Sequence, residues 1–327
     1  MAGRDEISAM KKVVVFGGGT GLSCLLTGLK LFPVDVTAVI SVSDNGSSTG
    51  VLKEELDIPA VGDVGKVLLA MANVDEDFLN LMSYRFSKSG TLYNHPVRNI
   101  ILSALIDLKG SLTEAAKYMC DILNIKGTVL PLTEERVELV GESEDALSFV
   151  GEEEVSRNVR NICRLTYDHD IRITGEIKAR IMEADLVIFS PGSLYTSILP
   201  HLIAPEIREV LAETMAPLMY VSNLVTQPGE TDAYNVSDHV RALNACLAGD
   251  NRHIDIVIAN NEAIDAYVLD KYHESENKHI VHLDAGAVQE MGAQIIAGDI
   301  FAIEDGKIRH NALKTAYLIF SYLMEKE

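Results

Sequence analysis

The chain has 327 residues, 47% of them hydrophobic and 23% charged, the profile of a globular chain with enough apolar material for a large core. A disulfide-stapled module and a disordered chain are thereby excluded. Its 28 Lys and Arg face 48 Asp and Glu, a formal charge of −20, so nucleic acid and anionic membrane surfaces are poor partners, and any nucleotide must be held locally by backbone amides, helix ends or a cation.

Residues 1–9 are polar and read as an N-terminal extension, with Met10 the candidate start of a single folded unit over residues 10–327. The four cysteines, Cys24, Cys120, Cys163 and Cys246, are widely spaced without a CxxC pair, as expected of reduced thiols in a cytoplasmic protein. No apolar run reaches membrane-spanning length, and the polar start is not expected to be a signal peptide.

In chain order, KKVVVF at 11–16 reads as a buried strand that runs into Gly17, Gly18, Gly19, Thr20 and Gly21, followed by a helix over 21–31. Glycines let the backbone approach a phosphate, and the helix start offers N–H groups; four glycines in five residues point to that use more than to packing. The string is neither GxGxxG nor a P-loop, since Leu22 or Cys24 stands where the third glycine belongs and no GK[ST] follows. A second strand at 36–42 leads into SVSDNGSSTG, read as a polar loop in which Asp44 and Asn45 can hold a cation and its phosphates. The acidic ribose reader of a NAD site is missing there, with Ser41, Val42 and Ser43 in its place.

Asp63 precedes a helix over 64–73, either as its cap or as a second carboxylate for Mg²⁺ beside Asp44. Helices follow at 75–84, 96–108 and 112–123, with His95, Arg98 and Asn99 at a loop-to-helix boundary. The stretch 128–170 reads as short strands with acidic turns, a small antiparallel insertion whose segment SEDALSFVGEEEVS is a solvated surface. A helix at 175–183 and a strand at 184–190 lead to Ser190, Pro191, Gly192 and Ser193, a second helix start able to cradle an anion. After a helix at 204–214 and a strand at 217–223 come Asn223, Thr226 and Gln227, suited to reading a base or sugar. A helix at 236–248, a strand at 253–260 and an amphipathic helix at 310–325 complete the pattern. Apolar strands alternating with helices indicate an α/β fold with a mainly parallel sheet covered on both faces, and ligands of such sheets bind outside the carboxyl ends of the strands.

The ordered strings GGGTGL, SVSDNGSSTG, SPGSLYTSILPHL, SNLVTQPGETDAY, SDHVRAL and KIRHNA resemble the gluconeogenesis factor family of the YvcK type, related to 2-phospho-L-lactate transferase (CofD). The resemblance runs from Met10 over essentially the whole chain. It implies a Rossmann-like three-layer fold and a cytoplasmic binder of UDP-sugars, notably UDP-N-acetylglucosamine, acting in cell shape and wall homeostasis on gluconeogenic carbon sources. It also implies that Gly17 to Gly21 with Asp44 and Asn45 form the phosphate side, and Ser190 to Thr196, including Tyr195, a second phosphate-facing loop. Asn223, Thr226 and Gln227 form a third loop, with Tyr272 stacking on a base and Arg309 pairing with a phosphate. The family's DDGGSSG, PPGDIRN and GHSxGN strings are here SDNGSSTG, AVGDVGK and NHPVRN, changes that all fall on the phosphate and metal side.

Three functions follow as alternatives: a UDP-sugar-binding regulator, a Mg²⁺-dependent transferase of the phospholactate type using Asp44 and Asp63, and a NAD-binding oxidoreductase that rests on the glycine turn alone. The expected partners are a nucleotide ligand and, for a regulator, a protein partner or a second copy of the chain.

Overall fold

The backbone is built on runs of apolar residues that have nowhere to go but between two layers of helices. The computed structural model describes residues 10–247, 252–304 and 306–325, so the proposed extension at 1–9 lies outside the described residues. In its first half, β1 (Lys11–Gly17), α1 (Gly19–Leu29) and β2 (Val34–Ile40) are followed by α2 (Ser47–Leu56), α3 (Gly62–Met71), α4 (Glu76–Ser83), α5 (Val97–Lys109), α6 (Leu112–Ile122) and β3 (Thr128–Pro131). Next come β4 (Leu139–Ser143), β5 (Ser148–Val150), α7 (Glu152–Asn158), β6 (Ile162–Tyr167) and α8 (Gly175–Met182). The second half holds β7 (Leu186–Phe189), α9 (Leu199–Ile203), α10 (Pro205–Glu213), β8 (Leu218–Val221), α11 (Val236–Leu247) and β9 (Ile256–Asn260). It ends with α12 (Ala266–Glu276), α13 (Ala285–Glu290), β10 (Gln294–Gly298), β11 (Phe301–Glu304), β12 (Lys307–His310) and α14 (Ala312–Glu325).

Seven strands form one sheet in the order β10-β9-β8-β7-β1-β2-β3, every pair parallel. From β1 the chain moves outward to β2 and β3, then returns to β7, the central strand on the other side of β1, and moves outward again through β8, β9 and β10. Connections therefore leave β1 and β7 in opposite directions, and a crevice opens above their carboxyl ends, the binding position of doubly wound sheets. The α/β, Rossmann-like reading with a small antiparallel sheet is thus borne out: β5-β4-β6 forms that second sheet.

The differences have local causes. Residues 128–131, which the sequence pattern places in the antiparallel segment, pair in parallel with β2, where the partner of Ile40 is Pro131. A strand ending in Pro is tolerated because β3 is the edge of the sheet. The other edge, β10, escaped the sequence reading because one of its sides has no strand neighbour and its residues are only partly buried. The polar stretch 41–50, read as a loop, becomes helical from Ser47; Asp44 Oδ1 accepts the Gly46 N–H at 2.8 Å and turns the chain into α2. Helices α7, α12 and α13, strand β6 and the β11-β12 hairpin were also missed, being short or polar.

Helix α1 buries Leu22, Leu25, Leu26 and Leu29, the i, i+3, i+4, i+7 stripe of an amphipathic helix. It packs on α14 so closely that a Cβ at Gly28 would lie 2.0 Å from the Ala312 backbone oxygen and 2.9 Å from the Ala316 Cβ. Backbone cannot yield as a flexible side chain does, so steric overlap outweighs the better helix propensity of alanine. Gly28→Ala is expected to destabilise the fold by about 1–3 kcal/mol. Denaturant unfolding monitored by circular dichroism measures it, and an unchanged midpoint would contradict this docking of α14 on α1.

Candidate functional site

Above the carboxyl ends of β1, β7 and β8 lies a cleft of about 460 Å³. It brings together Gly18, Gly19, Thr20 and Gly21 after β1, Pro191, Gly192 and Ser193 after β7, and Asn223, Thr226 and Gln227 after β8. Arg309 and His310 arrive from β12, Lys278 from the segment after α12, and Cys24 from α1. Gly17, Asp44, Asn45, Asp63, Ser190, Tyr195, Thr196 and Tyr272 are not among its lining residues.

Internal geometry accounts for the glycine string more fully than the sequence suggests. A Cβ at Gly17 would meet Ser190 Oγ at 2.1 Å, and one at Gly21 would meet the Pro191 carbonyl oxygen at 2.0 Å. Gly19 has φ +63°, and a Cβ at Gly18 would lie 2.8 Å from Asp63 Oδ2. The expectation that four glycines exceed what packing needs is therefore corrected: Gly17 and Gly21 let the loops after β1 and β7 pack against each other, and Gly18 admits a carboxylate. What remains available to a ligand is the backbone of Gly18 to Gly21 that lines the cleft at the start of α1, where Asp63 takes the Gly19 N–H.

The second expected cradle is filled by the protein itself. Glu230, buried, accepts from Ser193 Oγ at 2.7 and 2.9 Å and from the Tyr195 N–H at 2.8 Å, so its carboxylate occupies the start of the π-helical turn Leu194–Ile198. Burial pushes the Glu230 carboxyl up, and the Tyr195, Ser193 and Leu194 donors pull it back. Ser193 Oγ also contacts Thr196 Oγ1 at 2.6 Å, and Ser190 is fully buried. Ser190, Tyr195 and Thr196 thus support the cleft from behind. Asn223 is likewise committed: its Oδ1 accepts the Gly192 N–H at 2.9 Å and its Nδ2 donates to the Gly192 oxygen at 2.8 Å, fastening the loops after β7 and β8 together. Thr226 is buried and its Oγ1 accepts the His279 N–H at 3.0 Å, leaving Gln227 as the side chain of that loop with amide groups facing the cleft.

Tyr272 is buried in the core instead of facing a base; Lys278 stands over its ring with Nζ 5.6 Å from the centroid and is itself the cleft residue. Arg309 does line the cleft, and no ion pair to it occurs among the described residues. The neighbouring His310 is structural: its Nε2 lies 3.0 Å from the Ser222 oxygen, and burial lowers its pKa to about 4, so the ring is neutral. His201 is similar, with Nε2 3.1 Å from the Gly17 oxygen and a pKa lowered by burial to about 4.

On the other side of the glycine loop, three carboxyls approach one another. Asp63 is largely buried, pairs with Lys66 Nζ at 2.7 Å and accepts the Gly19 N–H. Burial pushes its carboxyl up, while Lys66 opposes that shift. Glu152, at the start of α7, bonds to Asp44 and Thr196; burial first, then the Asp44 charge, raises its pKa well above 4.5. The segment read as a solvated acidic surface is therefore divided: Glu153 and Glu154 pair with Arg157 on the outside, while Glu152 turns inward. Ser48 Oγ lies 2.8 Å from His95 Nδ1, and Asn99 Nδ2 donates to Ser48 Oγ at 3.4 Å, which places His95 and Asn99 in the packing behind α2.

These donors do not suit the Mg²⁺ expected on Asp44 and Asp63. Asp63 already holds an ammonium and a backbone N–H, and Asp44 Oδ1 holds the Gly46 N–H. Among the described residues no group of three or more His, Cys, Asp or Glu is disposed to hold a metal ion.

Lys66, Lys278, Glu152 and Glu230 escaped the sequence reading. Glu230, Lys66 and Glu152 stand inside the quoted strings TQPGETDAY, AVGDVGK and SEDALSFVGEEEVS, but their roles depend on contacts between distant elements.

Residues 13–301 match the family described as 2-phospho-L-lactate transferase CofD. The chain is 39% identical over 315 residues to the gluconeogenesis factor of Bacillus subtilis, covering 96% of this chain and 98% of that one. It is 34% identical over 313 residues to the gluconeogenesis factor of Listeria monocytogenes, covering 95% of each. A crystal structure of a Bacillus halodurans protein superimposes with a TM-score of 0.90 at 37% identity, covering 95% of this chain and 99% of that one.

The Asp44–Glu152 contact has a pH signature. Because the folded-state pKa of Glu152 is raised, the folded state binds the extra proton, and stability falls as pH climbs above the ordinary glutamate value of 4.5. Glu152→Gln removes that loss and keeps an amide for hydrogen bonding. Thermal melts across pH are expected to show the variant more stable than the parent at alkaline pH, with the gap closing toward pH 4.5; a gap that widens as pH falls would contradict the carboxyl pair.

Proposed function

The chain belongs to the 2-phospho-L-lactate transferase CofD family, with curated relatives named gluconeogenesis factor, and on that footing we propose that its cleft binds a nucleotide sugar of the UDP type, UDP-N-acetylglucosamine being the first candidate. The observation that carries this reading is the meeting of three things at the switch point of the sheet: the backbone of Gly18 to Gly21 lining the cleft, the cations Arg309 and Lys278, and the hydrogen-bonding side chain of Gln227. Backbone N–H groups and a guanidinium suit a diphosphate, and an amide suits a base or sugar. In this reading the protein is a cytoplasmic regulator acting during gluconeogenic growth on cell shape and wall homeostasis. The printed names of the relatives support the gluconeogenic part of it.

The transferase reading draws on the family description alone. The residues nearest the glycine loop argue against its metal-assisted form, since Asp63 is engaged with Lys66 and Asp44 with the Gly46 N–H. A NAD site lacks its ribose-reading carboxylate: Ser41 and Ser43 at the end of β2 are buried and bonded to each other at 2.9 Å.

Calorimetric titration with UDP-N-acetylglucosamine tests the proposal. Saturable binding is expected, and Arg309→Ala should weaken it about tenfold or more, the loss of a charge-assisted bond of roughly 1.5–3 kcal/mol. Absence of heat, together with failure to compete with UDP, would overturn the UDP-sugar reading.

A further inference from the structure

Asp63 is the carboxylate nearest the glycine loop: its Oδ2 lies 2.8 Å from the position of a Cβ on Gly18 and 3.6 Å from that on Gly19. A carboxylate placed there repels the phosphate that the loop would otherwise attract, unless a cation accompanies it. The cation present is Lys66, one turn along α3, with Nζ 2.7 Å from Asp63 Oδ1 and its side chain 39% exposed. Burial works against the Lys66 ammonium, yet Asp63 beside it and Asp44 behind it more than offset that and hold its pKa above the ordinary value.

A second cation backs the first. Arg98 of α5 lays its aliphatic stem on α3, with Cδ 3.2 Å from the Cβ position of Gly65, and its charge acts on both Lys66 and Asp63. The residue is only 8% exposed, and its Nε is buried without a hydrogen-bond partner. A buried guanidinium N–H left unpaired is costly and marks a missing acceptor.

We propose that Lys66 and Arg98, set beside Asp63 at the glycine loop, form a phosphate subsite that takes a diphosphate group without a divalent cation. Asp63 orients the ammonium, and the Arg98 charge backs it from α5. The subsite deepens the nucleotide-sugar reading by naming what meets the diphosphate, and rests on that reading only for the identity of the rest of the ligand.

Inorganic pyrophosphate, titrated into the full chain by calorimetry, is the probe that separates the two. The wild type is expected to bind it in EDTA and to gain nothing from millimolar Mg²⁺. Lys66→Met should weaken binding about tenfold or more, as expected for losing a charge-assisted contact, while Lys66→Arg retains it. Lys66→Gln serves as the neutral variant if Lys66→Met does not give the wild-type circular dichroism spectrum. Asp63→Asn, which keeps an acceptor for the Gly19 N–H but removes the competing charge, should tighten binding several-fold, whereas loss of a metal ligand would abolish it. Binding that requires Mg²⁺ and disappears in Asp63→Asn overturns the proposal, as does unchanged affinity in folded Lys66→Met or no pyrophosphate binding at all. Pyrophosphate binding in a protein that ignores UDP-sugars would leave the subsite standing and remove the uridine reading instead.

Discussion

Burying a carboxylate costs several kcal/mol unless donors or cations meet its charge, and the carboxyl edge of this sheet is organised around meeting that cost. Glu230 is satisfied by the start of a helical turn, through the Ser193 hydroxyl and the Tyr195 N–H. Asp63 is satisfied by the Gly19 N–H and the Lys66 ammonium. Each solution uses groups that an anionic ligand would otherwise take. The helix start after β7 is therefore closed to phosphate, and the start of α1 stays attractive to one only because Lys66 accompanies the carboxylate. The position of the ligand cleft, between these two internal anions and under Arg309 and Lys278, follows from that arrangement.

The same logic ties the small sheet to the large one. Lys53 of α2 is 1% exposed, and its ammonium donates to the Val137 oxygen and to Glu138 Oε1, both at 2.6 Å, immediately before β4. A buried ammonium without these partners would leave an uncompensated charge, so α2 cannot leave the base of the small sheet cheaply. Nearby, the Asn45 amide nitrogen comes within 2.3 Å of the Cβ position at Gly151, and Glu152 bonds to Asp44. Gly151 sits at φ +92°, a conformation that turns α7 back toward the loop after β2 and that a larger residue would both strain and block. The loop carrying Asp44 and Asn45 is thus shaped from both sides, by β2 that leads into it and by α7 that covers it.

What was legible in the sequence was whatever a single segment can announce. Continuous apolar runs gave the five inner strands their places, and the leucine stripe of α1 and the apolar pattern of α14 marked helices that bury one face. The glycine and serine strings marked the ends of strands, and in a doubly wound sheet that is where a cleft forms. Illegible were features that exist only between segments. The parallel partner of residues 128–131 is β2, with Thr128 opposite Thr37 and Pro131 opposite Ile40, and its four residues end in a proline that by itself argues against a strand. Glu152 is one of three consecutive glutamates, identical in type to two exposed neighbours and distinguished only by the Asp44 it meets. Tyr272 was expected at the cleft from a resemblance of strings, but α12 turns it into the core and leaves the following segment to present Lys278.

The charge of the whole chain and the charge of the cleft have opposite signs, and the two act over different distances. A formal charge of −20 sets the field that a nucleotide meets on approach, and that field is screened within about 8 Å at physiological ionic strength. At closer range Lys278 and Arg309 line the cleft with the glycine loop, and Lys66 stands beside it on Asp63. Glu276 positions Lys278 at 2.7 Å and Lys307 at 3.0 Å, and these two hydrogen-bonded ammonium groups hold its carboxyl down at about 2, so the clamp stays charged throughout the physiological range. Lys66 and Lys278 are therefore each held by a carboxylate that fixes where the charge stands, which lowers the entropy lost when a ligand is bound. An acidic protein can hold an anionic ligand on these terms because selectivity comes from a few positioned donors at close range, while its overall charge disfavours polyanions that would have to lie along its surface.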